Sequence, residues 1–254
     1  MTFNTKKKLF EFWDKDEEYF RFARDANLVL KGEREDMLRY INPGDLVLDV
    51  ACGSAENGRY ISQFAHYVGT DISSIALKMG RDYKNENFDL VHSDAEMLPF
   101  ADNFFNVVLS TYSLEHFLNP KKVIDEMYRV CKKTGKIISI SPAWDFPLSL
   151  PPSLGRLNRL QKFKFIFKKS IKQLCLPIKE YFSPIIINNP SIFDEGYSQD
   201  NDTVYVVSIR EIENYLTKWL NTKLLFIQTK HKWFNKIPFL KYWRTNILFI
   251  VVEK

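Results

Sequence analysis

The 254-residue sequence predicts an α/β fold on a mostly parallel sheet with helices on both faces, and three observations carry that expectation. Short, almost wholly apolar runs recur from Leu46 onward, helix-patterned stretches separate them, and a single long proline-bearing segment interrupts the alternation. A run that is apolar at nearly every residue belongs to a strand covered on both faces. Strands alternating with helices feed a parallel sheet through right-handed βαβ units.

The elements follow in order. Phe10 to Tyr40 carries aromatic and aliphatic residues among charges at helical spacing, so one or two helices precede the turn signal Asn42-Pro43-Gly44. Leu46 to Ala51 is the first strand, Glu56 to Phe64 a helix, Tyr67 to Thr70 the second strand, and Ser73 to Tyr83 a helix capped by Ser73. Phe88 to His92 and Asn106 to Ser110 are the third and fourth strands. Asn119-Pro120 supplies a cap and an N1 proline before a helix with Val123, Ile124, Met127 and Val130 on one face. Thr134-Gly135 stops that helix, and Lys136 to Ile140 is the fifth strand.

From Ser141 to Asp202 the prolines Pro142, Pro147, Pro151, Pro152, Pro177, Pro184 and Pro190 read as an insertion with helical stretches between them. Regular order returns at Thr203 to Val207. Ser208 and Glu211 then form a capping-box pattern before Ile212, Tyr215, Leu216 and Trp219, and Leu224 to Thr229 and Ile247 to Val252 close the sheet.

Composition sets limits on function. At 45% hydrophobic and 26% charged residues the chain can bury a substantial core, and its formal charge of +5 favours anionic partners without arguing for nucleic acid. Cys52, Cys131 and Cys175 are odd in number and far apart, and His66, His92 and His231 have no ligand partners at useful spacing. The expectation is a reducing compartment and no metal. Met1 to Leu9 is polar with no apolar stretch behind it, since Asp14, Asp16, Glu17 and Glu18 break up the aromatics, and no apolar run reaches a bilayer's span. A cytoplasmic location is expected, with room for peripheral membrane contact.

Chemistry concentrates in the turn after the first strand, Asp49 to Gly58. Small residues there let the backbone approach a ligand at the sheet's carboxyl edge, and Asp71, about twenty residues on, is placed to accept from both hydroxyls of a ribose. Nicotinamide-dinucleotide sites share those two features. They also need Gly-x-Gly-x-x-Gly at a pyrophosphate, whereas Gly53 and Gly58 here flank Ser54, Ala55, Glu56 and Asn57. The Glu56 carboxylate disfavours an anionic dinucleotide and tolerates a ligand bearing an amino group and a cationic sulfur.

The segments Val47-Leu48-Asp49-Val50-Ala51-Cys52-Gly53 and Gly69-Thr70-Asp71-Ile72-Ser73 resemble the class I S-adenosylmethionine-dependent methyltransferases, in particular their type 11 branch. So do Ser93 to Phe100, Phe105 to Ser110 with Leu114-Glu115-His116, and Glu126 to Ile137. The resemblance runs in order from about Leu46 to Ile140, more loosely from Thr203 onward. It implies a Rossmann-like methyltransferase fold with a seven-stranded sheet and a helical insertion after strand five. It divides the chain into N-terminal helices (1–44), a cofactor-binding core (45–141), an insertion forming a substrate lid or membrane-facing element (142–202), and a closing part of the core (203–254).

The resemblance also implies site residues for S-adenosylmethionine. Asp49 would organise the first loop and contact the methionine ammonium, directly or through water, while Gly53, Ser54 and Ala55 line the methionine. Asp71 with its neighbour Ile72 would hold the ribose side, Asp94 the adenine amino group and the Ala95 backbone the adenine ring, and Ser110 would offer its carbonyl. Ala51 and Ala55 stand where the family usually has glycine, which predicts altered backbone dihedrals.

Methyl transfer from a sulfonium is an in-line displacement, so holding the acceptor in line supplies much of the rate. A weakly nucleophilic acceptor also needs a base, for which His116 is the candidate; its other reading is a residue that caps or orients the loop. Tyr112 either closes over the adenosyl group or packs, and Cys52 reads as a small buried hydrophobe. Eight basic and no acidic residues lie between Gly155 and Lys179, interleaved with aromatics and aliphatics. That pattern suits a membrane-surface helix or a lid over a lipid-like or phosphate-bearing acceptor, and equally an ordinary packed helix with a lysine-rich outer face. The expected activity is methyl transfer to a small-molecule, sugar or lipid-linked acceptor on oxygen. The alternatives are carbon methylation of the quinone-biosynthesis type and a non-catalytic binding protein that keeps the fold.

Overall fold

The computed structural model describes residues 7, 10–14, 17–26, 29–146, 148–154, 157–174, 184–186, 204–228 and 246–254. Pro147, Gly155, Arg156, Cys175, Pro177, Lys179, Pro190, Thr203, Thr229 and His231, all singled out in the sequence, lie outside the described residues.

Alternating apolar runs become a seven-stranded sheet in the order β3-β2-β1-β4-β5-β7-β6. The strands are β1 Leu46–Val50, β2 His66–Asp71, β3 Phe88–His92, β4 Phe105–Thr111, β5 Cys131–Pro142, β6 Lys223–Ile227 and β7 Ile247–Glu253. β1 to β5 pair in parallel and β7 runs antiparallel to both β5 and β6. Both faces are covered, which is why the strands read as continuous apolar runs: Leu48, Val108, Ile137 and Ile250 enter one core, and Val47, Leu109, Ile138 and Phe249 the other.

The helices are α1 Glu17–Ala26, α2 Glu33–Met37, α3 Gly58–Ile61, α4 Ser74–Gly80, α5 Pro120–Val130, α6 Arg159–Leu174 and α7 Ile209–Asn214. Ser73 caps α4 as expected, its Oγ accepting from the Ala76 N–H at 3.1 Å, and Val123, Ile124, Met127 and Val130 are buried on α5.

The structure departs from several of these expectations. The helix expected over Glu56 to Phe64 shrinks to α3, because Ala51, Gly53 and Ala55 all take left-handed φ and the chain stays in turns until Asn57. Gly58 can begin α3 only as glycine, since a Cβ there would lie 2.4 Å from the Phe88 ring. At Asn119 no side-chain cap forms, and β5 begins at Cys131, directly after α5, with Thr134 at φ 65 and a register shift against β4. Where regular order was expected to return, residues 204–207 lie outside the sheet, and Tyr205 makes one isolated bridge to Ile186. Ser208 Oγ accepts from the Glu211 N–H at 3.3 Å, yet the Glu211 carboxylate accepts from the Tyr205 hydroxyl. Ile212, Tyr215 and Leu216 are buried, whereas Trp219 is exposed, because a π-helical turn, Tyr215–Trp219, rotates it out of phase.

Candidate functional site

A cleft with ≈ 1180 Å³ of empty space, its mouth included, opens at the carboxyl ends of β1, β2, β3 and β4. In a doubly wound sheet this edge, where chain order reverses between β1 and β4, is where ligands bind. Its floor is the turn after β1. Asp49, fully buried, accepts from Asn57 Nδ2 at 2.9 Å and from the Tyr67 hydroxyl at 3.0 Å, both on Oδ2. Asn57 Oδ1 in turn accepts from Arg34 Nε at 2.8 Å, and its Nδ2 reaches Thr111 Oγ1 at 2.9 Å. Asp49 Oδ1 is buried with no hydrogen-bond partner. Burial pushes the Asp49 carboxyl up to about 7, against the pull of the Asn57 and Tyr67 hydrogen bonds.

Asp71 stitches the loop to the end of β2. Its Oδ2 accepts from the Gly53 N–H at 2.8 Å and its Oδ1 from the Ser73 N–H at 2.9 Å. Burial raises the Asp71 carboxyl, and the backbone N–H groups of Ser73 and Gly53 oppose that shift. Glu56, also on the cleft wall, accepts a short hydrogen bond from Ser54 Oγ.

Of the residues marked in the sequence, Ala51, Gly53, Ser54, Asp71, Ile72, Asp94, Ala95 and His116 line the cleft. Asp49, Ala55 and Ser110 lie beneath its surface: Ala55 is fully buried, and Ser110 Oγ is hydrogen-bonded to Ser113 Oγ. Ala51 at φ 56 and Ala55 at φ 60 take the left-handed backbone that glycine adopts without strain, as Gly53 does at φ 57. Tyr112, at φ 53, and Cys52 also line the wall, with burial pushing the Tyr112 hydroxyl up to about 12 and the Cys52 thiol well above its usual value.

The opposite wall was not legible in the sequence. Trp13, Tyr19 and Phe20 close the cleft, and the Trp13 ring meets the His116 imidazole edge-on with centroids 5.2 Å apart. His116 Nε2 lies 3.8 Å from Glu115 Oε1. Glu115 is buried and accepts from Ser141 Oγ at 2.6 Å. None of the described residues of the 142–202 insertion lines this cleft. Among the described residues no group of His, Cys, Asp and Glu is placed to hold a metal.

A family model described as "Methyltransferase domain" matches residues 48–139, the stretch from β1 through β5 that carries this floor. Over that stretch the chain is similar to the methyltransferase domain. The chain is similar to the demethylmenaquinone methyltransferase of Listeria welshimeri, 35% identical over 132 residues that cover 46% of this chain and 56% of that one. It is also similar to the ubiquinone/menaquinone biosynthesis C-methyltransferase UbiE of Legionella pneumophila, 30% identical over 141 residues, covering 47% and 56%. The chain thus spans little more than half the length of these relatives. Across the whole fold, a methyltransferase from Aquifex aeolicus superposes with a TM-score of 0.56 at 13% identity, covering 94% of this chain and 98% of that one. One from Mesorhizobium loti gives 0.58 at 14%, covering 88% and 98%.

The cleft's floor fits S-adenosylmethionine by its donor set. The unpartnered Asp49 Oδ1 suits an ammonium, the Asp71 carboxylate on the cleft wall suits hydroxyls, and Ser93, whose Oγ is also buried without a hydrogen-bond partner, lines the same cleft. The acids Glu56 and Asp71 on the cleft wall, with Asp49 beneath them, oppose a pyrophosphate and favour a cation.

Proposed function

We propose that the chain is an S-adenosylmethionine-dependent methyltransferase whose acceptor is a small, flat, largely apolar molecule carrying a hydroxyl. The observation that carries this reading is the pairing of a carboxylate floor with an aromatic roof in one cleft. In the proposal Asp49, Gly53, Ser54 and Ala55 shape the methionine end, Asp71 and Ile72 the ribose end, and Asp94 and Ala95 the adenine end. Ala51 and the Ser110 backbone complete the loop walls. Residues 45–141 are the cofactor core, 203–254 complete the sheet, and 1–44 cover the acceptor side.

When bound, S-adenosylmethionine supplies an electrophilic methyl on a cationic sulfur and leaves as a neutral thioether. The chain's own task is then to exclude water, align the acceptor and remove its proton. Trp13, Tyr19 and Phe20 on the cleft wall suit a flat, apolar acceptor, whereas a sugar would bring many hydroxyls against that aromatic wall. His116 takes the acceptor hydroxyl's proton, and the Glu115 carboxylate at 3.8 Å stabilises the imidazolium that results. Oxygen methylation needs that deprotonation directly. Carbon methylation, which the name of the Legionella relative prints, would need it equally on a hydroxylated ring, because the oxyanion pushes electron density onto the ring carbon. Peripheral membrane contact through 156–179 belongs to the same reading, since such acceptors partition into lipid.

The test is calorimetric titration with S-adenosylmethionine, then turnover with a prenylated 1,4-naphthoquinol, a catechol and a hexose, and mass analysis of each product. Micromolar binding and one added methyl on either ring compound support the proposal. Failure to bind at millimolar cofactor would make the chain a fold-retaining binding protein, and preferential methylation of the hexose would overturn the acceptor class.

A further inference from the structure

We propose that the outer face of α6 docks on an anionic lipid bilayer, which deepens the membrane contact proposed above and rests on it. Leu160, Phe163, Phe167 and Ile171 recur at helical spacing along one stripe and are 63%, 66%, 60% and 43% exposed. The Phe163 and Phe167 rings stack with centroids 6.5 Å apart. An apolar stripe of this kind marks an interaction surface. Opposite its centre sits Lys169, buried, its Nζ donating to the carbonyls of Trp144, Phe146 and Ser149 at 2.9, 2.8 and 2.6 Å. Phe165 packs on the main core from the same inner side. The helix is therefore fixed to the body by its inner face, and its apolar stripe is turned permanently outward.

Charge selects the occupant. Lys164 and Lys168 border the stripe on one side and Arg159 on the other, all exposed, with no acidic residue from 155 to 179. Aromatic and aliphatic side chains entering the acyl boundary, with lysines reaching back to anionic headgroups, are how an amphipathic helix lies on a membrane. No described helix is long and apolar enough to cross one, so the contact is in the plane of the surface. A second copy of the chain is a poorer occupant, because a two-fold contact would bring the same basic edges together.

The experiment is co-sedimentation of the full chain, without cofactor or acceptor, with vesicles of phosphatidylglycerol and phosphatidylcholine and with phosphatidylcholine alone. Binding to the anionic vesicles alone, weakening steeply with salt, is expected. The double variants Phe163→Asp/Phe167→Asp and Lys164→Glu/Lys168→Glu should each bind about tenfold or more weakly, while binding S-adenosylmethionine as the parent does, which shows that they fold. The proposal is overturned if the parent stays in the supernatant, if neither variant differs from it, or if light scattering finds a dimer that Phe163→Asp/Phe167→Asp dissolves. Because no turnover is read, failure here leaves the methyltransferase reading standing, and failure to bind cofactor leaves the vesicle result interpretable.

Discussion

In the proposed function Asp49 is the side chain on which cofactor binding turns. Its carboxyl titrates at about 7 because burial outweighs the Asn57 and Tyr67 hydrogen bonds. The unfolded chain ionises the same group near 3.8, so between about pH 4 and 7 the folded state holds the extra proton and stability falls as pH rises. Ligand affinity runs the other way, since an ammonium favours the ionised carboxylate. S-adenosylmethionine affinity should rise by up to about tenfold per pH unit up to about 7 and then level off, with proton release on binding below that point. Calorimetry in two buffers of different ionisation enthalpy reads both, and a flat profile from pH 5 to 8 would remove Asp49 from the ammonium contact. Asp49→Asn keeps the shape without the charge and should weaken binding by about tenfold or more at pH 8. Ala51 carries a separate, smaller penalty. At φ 56 its Cβ is crowded against the backbone in a way glycine avoids. Ala51→Gly recovers about 1 kcal/mol of that strain and loses about half of it to the freer unfolded chain. A small upward shift in the urea midpoint with unchanged slope is expected, and a clear fall would show that the loop is not strained there.

Among the elements, α6 and the loop after β5 depend on one buried lysine. Lys169 brings a charge out of water and is pulled down to about 8, yet its ammonium serves three carbonyls and the Ser149 hydroxyl. Beside it Asp145, pushed up to about 6 by burial, accepts from Ser208 Oγ and from the Ile209 N–H at the start of α7, both at 2.7 Å. Lys169→Ala removes the shared ammonium from the carbonyls of Trp144, Phe146 and Ser149, of which Phe146 keeps the Ser149 N–H and Oγ as donors, and should destabilise the α6 attachment by about 2–3 kcal/mol. Amide exchange of α6 should then quicken while that of β1 and β4 is unchanged; equal acceleration in both would mean that α6 is not a separable unit. This anchor explains why the insertion was only half legible. Its basic and aromatic composition suits a membrane-surface helix, a lid or a packed helix with a lysine-rich outer face, and nothing local in the sequence marks which of several lysines turns inward.

At the scale of the whole molecule, what could be read early was what local pattern determines. The strands from Leu46 to Ile140, the Ser73 cap and the paired acids Asp49 and Asp71 are written in neighbouring residues, and the structure has them in that arrangement. The cover over the cleft is written in contacts between distant residues. Asp14 Oδ1 accepts from Ser74 N and Oγ at 2.9 and 2.7 Å, Arg34 reaches Asn57, and Trp13 meets His116. Trp13 and Phe20 form a small core of their own with Ala76 on α4, apart from the two cores of the sheet. The cover can therefore loosen without unfolding the sheet. Trp13→Ala removes the ring at the centre of that cluster and should raise the dissociation constant for cofactor and acceptor by about tenfold, which is about 1.4 kcal/mol. Exchange should quicken in residues 10–26 and α4 and stay slow in β1, β4 and β5. If the strand amides quickened as much as the cover, the N-terminal helices would be part of one cooperative core, and the cleft could open only by unfolding the protein.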